Sequence, residues 1–407
     1  MGKGGLTYAQ SRSNASVDAF ARRRVSTPFT LFDSKQLLDA QPLQWDDAET
    51  SGAGTSSSHN PNIAASTMAV SLNTAGVRVR QTRRRFNYQP GKSQLIFMSG
   101  VLGAGVAGIR RRIGAFAQAD GLFFELLGTT LSVVKRSYAT GAAVDTAIPQ
   151  SAWNLDKLDG TGPSGRTIDT SKAQIFVIDF EWLGVGDARF GTVLDGDIIY
   201  CHAFAYANIV TSAYMSSPNL PLRYELQNLG TGPAASLIHI CSSVMAEGGF
   251  QELGFPFSLD RTTALVTRND ARIYPMLGLR FRSGRSREAT IRFTSLSIVC
   301  TSTAAFRWAL ILNPIVAGVA LSFTGVANSA LEVDVSRTST TTITGGHVLV
   351  SGVSQTNNES VVLAPSPTDF YLGSTIAGVS DILVLAIQRL VGGAETFYGT
   401  VSYRELI

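Results

Sequence analysis

Residues 174–204, QIFVIDFEWLGVGDARFGTVLDGDIIYCHAF, read as three consecutive antiparallel strands joined by tight turns. Positions 174–183 are dominated by β-branched and aromatic residues, and Gly184, Val185, Gly186 and Asp187 supply turn chemistry before 188–194 run back. Asp195-Gly196 is the dipeptide a two-residue hairpin loop needs, because both central positions take positive φ. Residues 198–204 form the third strand. A side-chain period of two sets Ile175, Val177, Asp179, Glu181 and Leu183 on one face and Phe176, Ile178, Phe180 and Trp182 on the other. The second face is wholly apolar and must be covered. On an antiparallel meander the cover is another sheet, which gives a β-sandwich or jelly roll.

Strand patterns continue on both sides. Alternation begins near Met68, residues 121–127 and 130–137 make a hairpin about Gly128, and 220–228, 235–245, 271–282 and 289–301 bring the set to about ten strands. That number suits an all-β jelly-roll or lectin-like sandwich over residues 76–302. Near residue 302 the composition shifts to Thr, Ser, Val and Gly, so 303–407 reads as a smaller C-terminal β domain. Its stretch DILVLAIQRLV is ambiguous between strand and helix by periodicity.

Residues 1–75 have too little apolar sequence for a core of their own, and SGAGTSSSHNPN at 51–62 has the composition of a linker. Yet Phe29, Phe32, Leu37, Leu38 and Trp45 would each cost about 1.5–3 kcal/mol to leave in water. The reading is an extended assembly arm that lies over its own body or over a neighbouring subunit.

The 407 residues are 44% hydrophobic and 16% charged, which excludes disorder throughout. The net charge of +4 is segregated. Residues 1–116 hold 15 Lys and Arg against 6 Asp and Glu (+9), and residues 117–260 hold 7 against 15 (−8). Residues 261–300 hold 8 against 2 (+6), and 301–407 hold 4 against 7 (−3). Acidic and basic segments of one chain, or of neighbouring subunits, can therefore complement each other. Cys201, Cys241 and Cys300 are odd in number, widely spaced and set in apolar runs, so no disulfide framework or zinc site is expected, and folding is expected in a reducing compartment. The Arg-rich start lacks the apolar core of a secretory signal, Leu6 breaks a myristoylation pattern, and the apolar run at 308–323 is short and interrupted by Asn313-Pro314. A soluble protein with no membrane partner is expected.

Several motifs invite chemistry. Gly103 to Gly108 spell GxGxxG, with Glu125 beyond, but a dinucleotide fold needs alternating helices and everything after residue 120 reads as strands, so this is a Gly/Ala loop. Gly91-Lys92-Ser93 lacks the first glycine of a phosphate loop, since Phe86 stands there. Asp179-Phe180-Glu181 places two carboxylates on one face about 7 Å apart by strand rise. The pair is similar to part of the E-x-D-x-E signature of lectin-fold glycoside hydrolases, but Val177 occupies the first Glu position and leaves no nucleophile. Asp179 and Glu181 remain candidates for non-catalytic glycan binding on an exposed acidic face. His59, His202, His239 and His347 are scattered, so no metal site, cofactor or catalytic set is expected. Three arginine triplets, Arg22-Arg23-Arg24, Arg83-Arg84-Arg85 and Arg110-Arg111-Arg112, have no interleaved aromatics or nucleic-acid module. Nucleic acid is therefore not the expected partner. The first two triplets, with Trp45, read as assembly and docking residues that pair with carboxylates of a neighbour.

The stretches RVRQTRRRFNYQPGKSQLIFMSGVLG (78–103), GLFFELLGTTLSVVKRS (121–137), FEWLGVGDARFGTVLDG (180–196) and MSSPNLPLRYEL (215–226) together resemble structural proteins of tailed bacteriophages and similar dsDNA viruses. The resemblance covers roughly residues 28–300 and, more weakly, the C-terminal domain. It implies a lectin-like β-sandwich in a virion component assembled in the host cytoplasm: a tail fibre or spike, an adaptor, or a capsid decoration. It further implies a non-enzymatic role, a homotrimer, other virion proteins as partners, and host surface glycans as ligands in an alternative, receptor-recognition reading.

Overall fold

The computed structural model describes residues 16–19, 23–24, 27–251, 253–287, 289–302, 304–354, 358–362 and 371–407. The chain divides into two units, Met1–Gln251 and Glu252–Ile407. Both are built from antiparallel strands, so the all-β expectation holds.

The strands of the first unit are β1 (Phe29–Lys35), β2 (Trp45–Gly52), β3 (Thr55–Asn60), β4 (Ala65–Val70), β5 (Gly76–Thr82), β6 (Ser93–Val101), β7 (Ile109–Phe116), β8 (Gly121–Leu127), β9 (Thr130–Ser137), β10 (Val144–Pro149), β11 (Gln174–Phe180), β12 (Ala188–Leu194), β13 (Asp197–Phe204), β14 (Leu222–Asn228) and β15 (Ala235–Glu247). They form two sheets. Sheet I runs β13-β12-β11-β6-β15-β4-β3, with β1 pairing the second half of β15 where β4 pairs the first. Sheet II runs β10-β9-β8-β7-β14-β5-β2. The two sheets share one core, a jelly-roll or lectin-like sandwich. Phe124 of sheet II meets Phe176 and Phe190 of sheet I with ring centroids 5.0 and 5.4 Å apart. The buried Tyr224 hydroxyl of sheet II donates to the Ser99 carbonyl of sheet I at 3.1 Å.

The meander is as read. Leu194 pairs with Asp197 across a two-residue loop, with Asp195 at φ 51° and Gly196 at φ 88°. Phe176, Ile178 and Phe180 enter the core. The other face differs from expectation. Val177 and Asp179 are each 0% exposed, so β11 is sealed on both sides from Phe176 to Phe180.

Two domain boundaries are corrected. Over residues 29–70 the segment expected as an extended assembly arm and linker (1–75) is instead part of the sandwich, supplying β1 to β4 and the core side chains Phe32, Trp45, Met68 and Val70. The linker-like tract folds because Gly52 and Gly54 take positive φ and turn β2 into β3, whose hydroxyl-rich residues pair with β4 along a sheet edge. The division expected at 302/303 falls inside the second unit. Its strands are β16 (Phe255–Val266), β17 (Ile273–Phe281), β18 (Thr290–Cys300), β19 (Phe306–Leu312), β20 (Ile315–Ala317), β21 (Thr324–Gly325), β22 (Leu331–Asp334), β23 (Thr342–Thr344), β24 (His347–Ser354), β25 (Asn358–Val362), β26 (Ile382–Arg389) and β27 (Thr396–Leu406). β16 and β18 flank β27, while β17 and β19 flank β26, so strands on either side of residue 302 share both sheets and one core. DILVLAIQRLV is settled as the strand β26, at the centre of its sheet.

Candidate functional site

In the first unit, the faces of the two sheets turned away from the shared core both carry charge, and the charges are paired. On sheet I the centre is Asp179. Its register places Arg189 directly across on β12. Ser93 of β6 stands opposite Glu247 of β15, one position from the β6 residue that pairs with Phe180. Asp179 Oδ1 accepts from Ser93 Oγ at 2.5 Å, and Oδ2 accepts from the Tyr200 hydroxyl at 2.8 Å and from the Arg189 guanidinium. Arg24 of the N-terminal segment also pairs with Oδ2 and sets its Nε 3.1 Å from Glu247 Oε2. The same segment offers the Val17 carbonyl to Arg189 Nη2 at 2.8 Å, and Val17 bridges Arg23 in antiparallel fashion. Leu95, Val177 and Tyr200 form an apolar floor around these charges.

The electrostatics follow from burial. Burial works against the charge on Arg24, but Asp179, the Tyr200 hydroxyl and Glu247 outweigh it and hold its pKa above the ordinary arginine value. Burial raises the Glu247 carboxyl; Arg24 opposes the rise, while Asp179 and Asp18 add to it. The Tyr200 hydroxyl is also raised, first by burial and then by Asp179.

On sheet II the charges lie in cross-strand rows. Glu225, Arg112 and Glu125 face one another across β14, β7 and β8. Arg112 donates Nε to Glu125 Oε2 at 2.7 Å and Nη1 to Glu225 Oε1 at 2.9 Å. Arg223 grips the other Glu225 oxygen, and Arg136 makes a two-pronged bond to Asp145 directly opposite it. The rings of Phe116 and Phe123 are the floor, with Arg223 5.3 Å from the first and Arg112 5.2 Å from the second. Burial would raise the Glu225 carboxyl, but Arg223 and Arg112 outweigh it and hold the group below the usual carboxylate range. Asp145 is likewise lowered, by Arg136 and Arg112 against the effect of burial.

The residues singled out in the sequence divide among these places. Arg22 lies outside the described residues. Arg23 is exposed, and Arg24 enters the Asp179 cluster. Arg83 faces Asp46 at 3.6 Å, Arg84 lies over Phe32 and Phe86, and Arg85 donates to the Asn219 carbonyl at 3.2 Å. The second triplet is thus engaged within its own unit. Trp45 is corrected from docking residue to core: it is 2% exposed, packs its ring at a tilt against His239 and Tyr224, and donates Nε1 to Ser34 Oγ. The glycan site expected at Asp179 and Glu181 is corrected too. Asp179 is consumed by its partners, and buried Glu181 accepts from the Asp187 amide at the end of the β11–β12 loop. Gly103 to Gly108 form a loop between β6 and β7, and Glu125 serves Arg112. The sequence reading missed Arg189, Tyr200 and Glu247 on sheet I, and Glu225, Arg136 and Asp145 on sheet II. The hairpin registers Asp179–Arg189 and Arg136–Asp145 were the available signals.

Among the described residues no group of three or more His, Cys, Asp or Glu could hold a metal ion, and no helix is long and apolar enough to cross a membrane.

No protein-family model matches the chain, and no curated protein matches it. Solved structures do. A β-glucanase of Bacillus licheniformis is 12% identical, covers 54% of this chain and 99% of its own, and has a TM-score of 0.36. The CBM2 module of the evolved Dit of Lactobacillus casei BL23 phage J-1 is 8% identical, covers 55% of this chain and 98% of its own, and has a TM-score of 0.36. A legume lectin-like domain from Entamoeba histolytica is 8% identical, covers 54% of this chain and 98% of its own, and has a TM-score of 0.31.

Proposed function

We propose that the chain is a non-enzymatic structural subunit of a virus particle that assembles through its basic N-terminal segment as a homo-oligomer, with a trimer as the working arrangement, in contact with other virion proteins. The observation that carries this reading is Arg24, seated between Asp179 and Glu247 on the outer face of sheet I. It is an arginine from the segment before the first strand, held by buried carboxylates of the body, which is the chemistry an assembly arm needs. On sheet II, Glu225 and Asp145 are both held below the usual carboxylate range by arginines, so neither fits the protonated acid of a glycoside hydrolase. The test is the copy number of the chain per purified particle, by quantitative mass spectrometry against the major capsid protein. A ratio near that protein's means a shell or decoration subunit, a low ratio set by tail symmetry means a fibre or adaptor, and absence from particles overturns the reading.

A second reading, carbohydrate recognition, is favoured by the sheet II face, where half-buried Arg110 and Gln227 and partly exposed Asp145 present hydrogen-bonding groups. Glycan-array binding lost in Arg110→Ala and Gln227→Ala would support it. Binding unchanged by both, or no binding at all, would remove it.

A further inference from the structure

Among the described residues of the first unit, five arginines are buried, and four of them have a carboxylate: Arg80 pairs with Asp47, Arg112 and Arg223 with Glu225, and Arg189 with Asp179. Arg111, 4% exposed, has none. Its Nε donates to the Ser236 carbonyl at 3.1 Å and its Nη1 to the Ala104 carbonyl at 3.0 Å. Burial acts on its pKa without an acid to oppose it, and lowers it. A guanidinium taken out of water and held by carbonyl dipoles alone is one half of an ion pair.

The other half has a place to sit. Arg111 belongs to a cross-strand row on the core side of sheet II, between Leu226 and Leu126, and Leu126 stands across from Leu131. Leu126 and Leu131, with Ile168, give apolar surface to a cavity of about 200 Å³ that is completed by Gly105, Thr129, Gln150 and Thr170. The glycine-rich loop after β6 joins the cavity to the arginine: Gly105 is in the lining, Ala104 is bonded to Arg111, and Gly103 accepts from the Thr170 hydroxyl at 3.0 Å. A Cβ on Gly103 would stand 3.3 Å from Arg111 Nη2, so glycine keeps that side of the nitrogen clear. The lining is rich in acceptors. Gln150 spends its amide nitrogen on the Lys157 and Leu158 carbonyls, which leaves Oε1 to accept, and the Thr129 and Thr170 oxygens can accept as well. Acceptors around an apolar patch suit a ligand with several hydroxyls, an arginine lacking an anion suits a carboxylate, and the volume keeps the ligand small.

We propose that this cavity at the β8–β9 turn binds a small hydroxylated carboxylate of the uronic acid class, whose carboxylate enters beside Gly103 and pairs with Arg111. The site is separate from the Asp179 cluster and from the charged face of sheet II, and it does not depend on the virion reading.

The test is calorimetric titration of the full chain with glucuronate at constant ionic strength, with glucose as the uncharged counterpart and sulfate as the bare anion. The expected result is saturable binding of glucuronate that neither glucose nor sulfate reproduces, weakened about tenfold or more in Arg111→Met and in Thr129→Leu. Circular dichroism checks that both variants are folded; Thr129 is exposed in its turn, so if Arg111→Met fails to fold, Thr129→Leu decides alone. No binding of glucuronate overturns the proposal, and so does binding that either folded variant retains in full. Equal binding of glucose overturns the role of Arg111, and equal binding of sulfate overturns the hydroxylated ligand.

Discussion

Asp179 receives four donors, two of them guanidinium groups, in a place water does not reach. Removing it leaves Arg24 with Glu247 alone and takes from the buried Arg189 its carboxylate partner, and an uncompensated buried charge is expensive. Asp179→Ala is expected to cost about 3–5 kcal/mol, read from the midpoint of urea unfolding. Glu247 is a different case, because burial already disfavours its charged form. Glu247→Gln should cost well under half as much in the same titration, and equal losses would contradict the division of labour drawn between the two carboxylates. Trp45 gives a third contrast. Read from the sequence as a docking residue, it lies in the core with its Nε1 bonded to Ser34, so Trp45→Ala should lower stability by about 3–5 kcal/mol and unfold the chain before it affects association. The sequence offered no means of telling these roles apart, since a tryptophan beside acidic residues has the same local appearance in an arm and in a core.

At the scale of elements, the meander was legible and its surroundings were not. The period of two and the Asp195-Gly196 turn are local, so β11, β12 and β13 lie where the residues place them. What covers the second face of β11 is distant in the chain, and no window of sequence reports it. The tract at 51–62 misled for a related reason: serine-rich composition describes what side chains can bury, whereas β3 is held by backbone pairing to β4 at a sheet edge. Two glycines separate turn from packing. At Gly196 an added methyl meets no atom within 4 Å, so Gly196→Ala should cost only the positive φ, about 1–2 kcal/mol in thermal unfolding. At Gly114, in the row between Arg223 and Phe123, the methyl would strike the Leu122 carbonyl and sit 2.6 Å from Phe123 Cα. Gly114→Ala should therefore be far more damaging, although both are the same chemical change.

For the whole molecule, acid response follows from the signs of the shifts. Glu247 has a raised folded pKa, so as pH falls through it protonation favours the folded state. Glu225 and Asp145 have depressed folded values; their contribution is complete above the unfolded values of 4.5 and 3.8 and is lost as pH falls below them. Buried His202 and His239 act the other way from Glu247: burial lowers both, His202 to about 4, so the unfolded chain takes up protons first and stability is lost as pH falls below 6.5. The thermal midpoint should decline from there and drop further below about pH 4.5; a midpoint that holds from about pH 7 to 4.5 would count against this account. The division of the chain is testable as well. A fragment ending at Gln251 keeps every strand of the sandwich and should melt cooperatively, whereas one ending at residue 302 carries β16, β17 and β18 without β26 and β27 and should aggregate. The boundary escaped the sequence because composition changes near 302 while strand pairing runs across it.

A strand open to water on one side tolerates change on alternate positions, and that freedom is how half-buried strands drift over generations. β11 has no free side along Phe176 to Phe180: one face is locked by the sandwich core and the other by charges and a segment from the far end of the chain. Substitutions there would need matching changes at Arg24, Arg189 or Glu247 to survive. Among descendants of this sequence, 176–180 should be the slowest-changing stretch of the first unit, and its variation should be correlated with residues more than a hundred and fifty positions upstream.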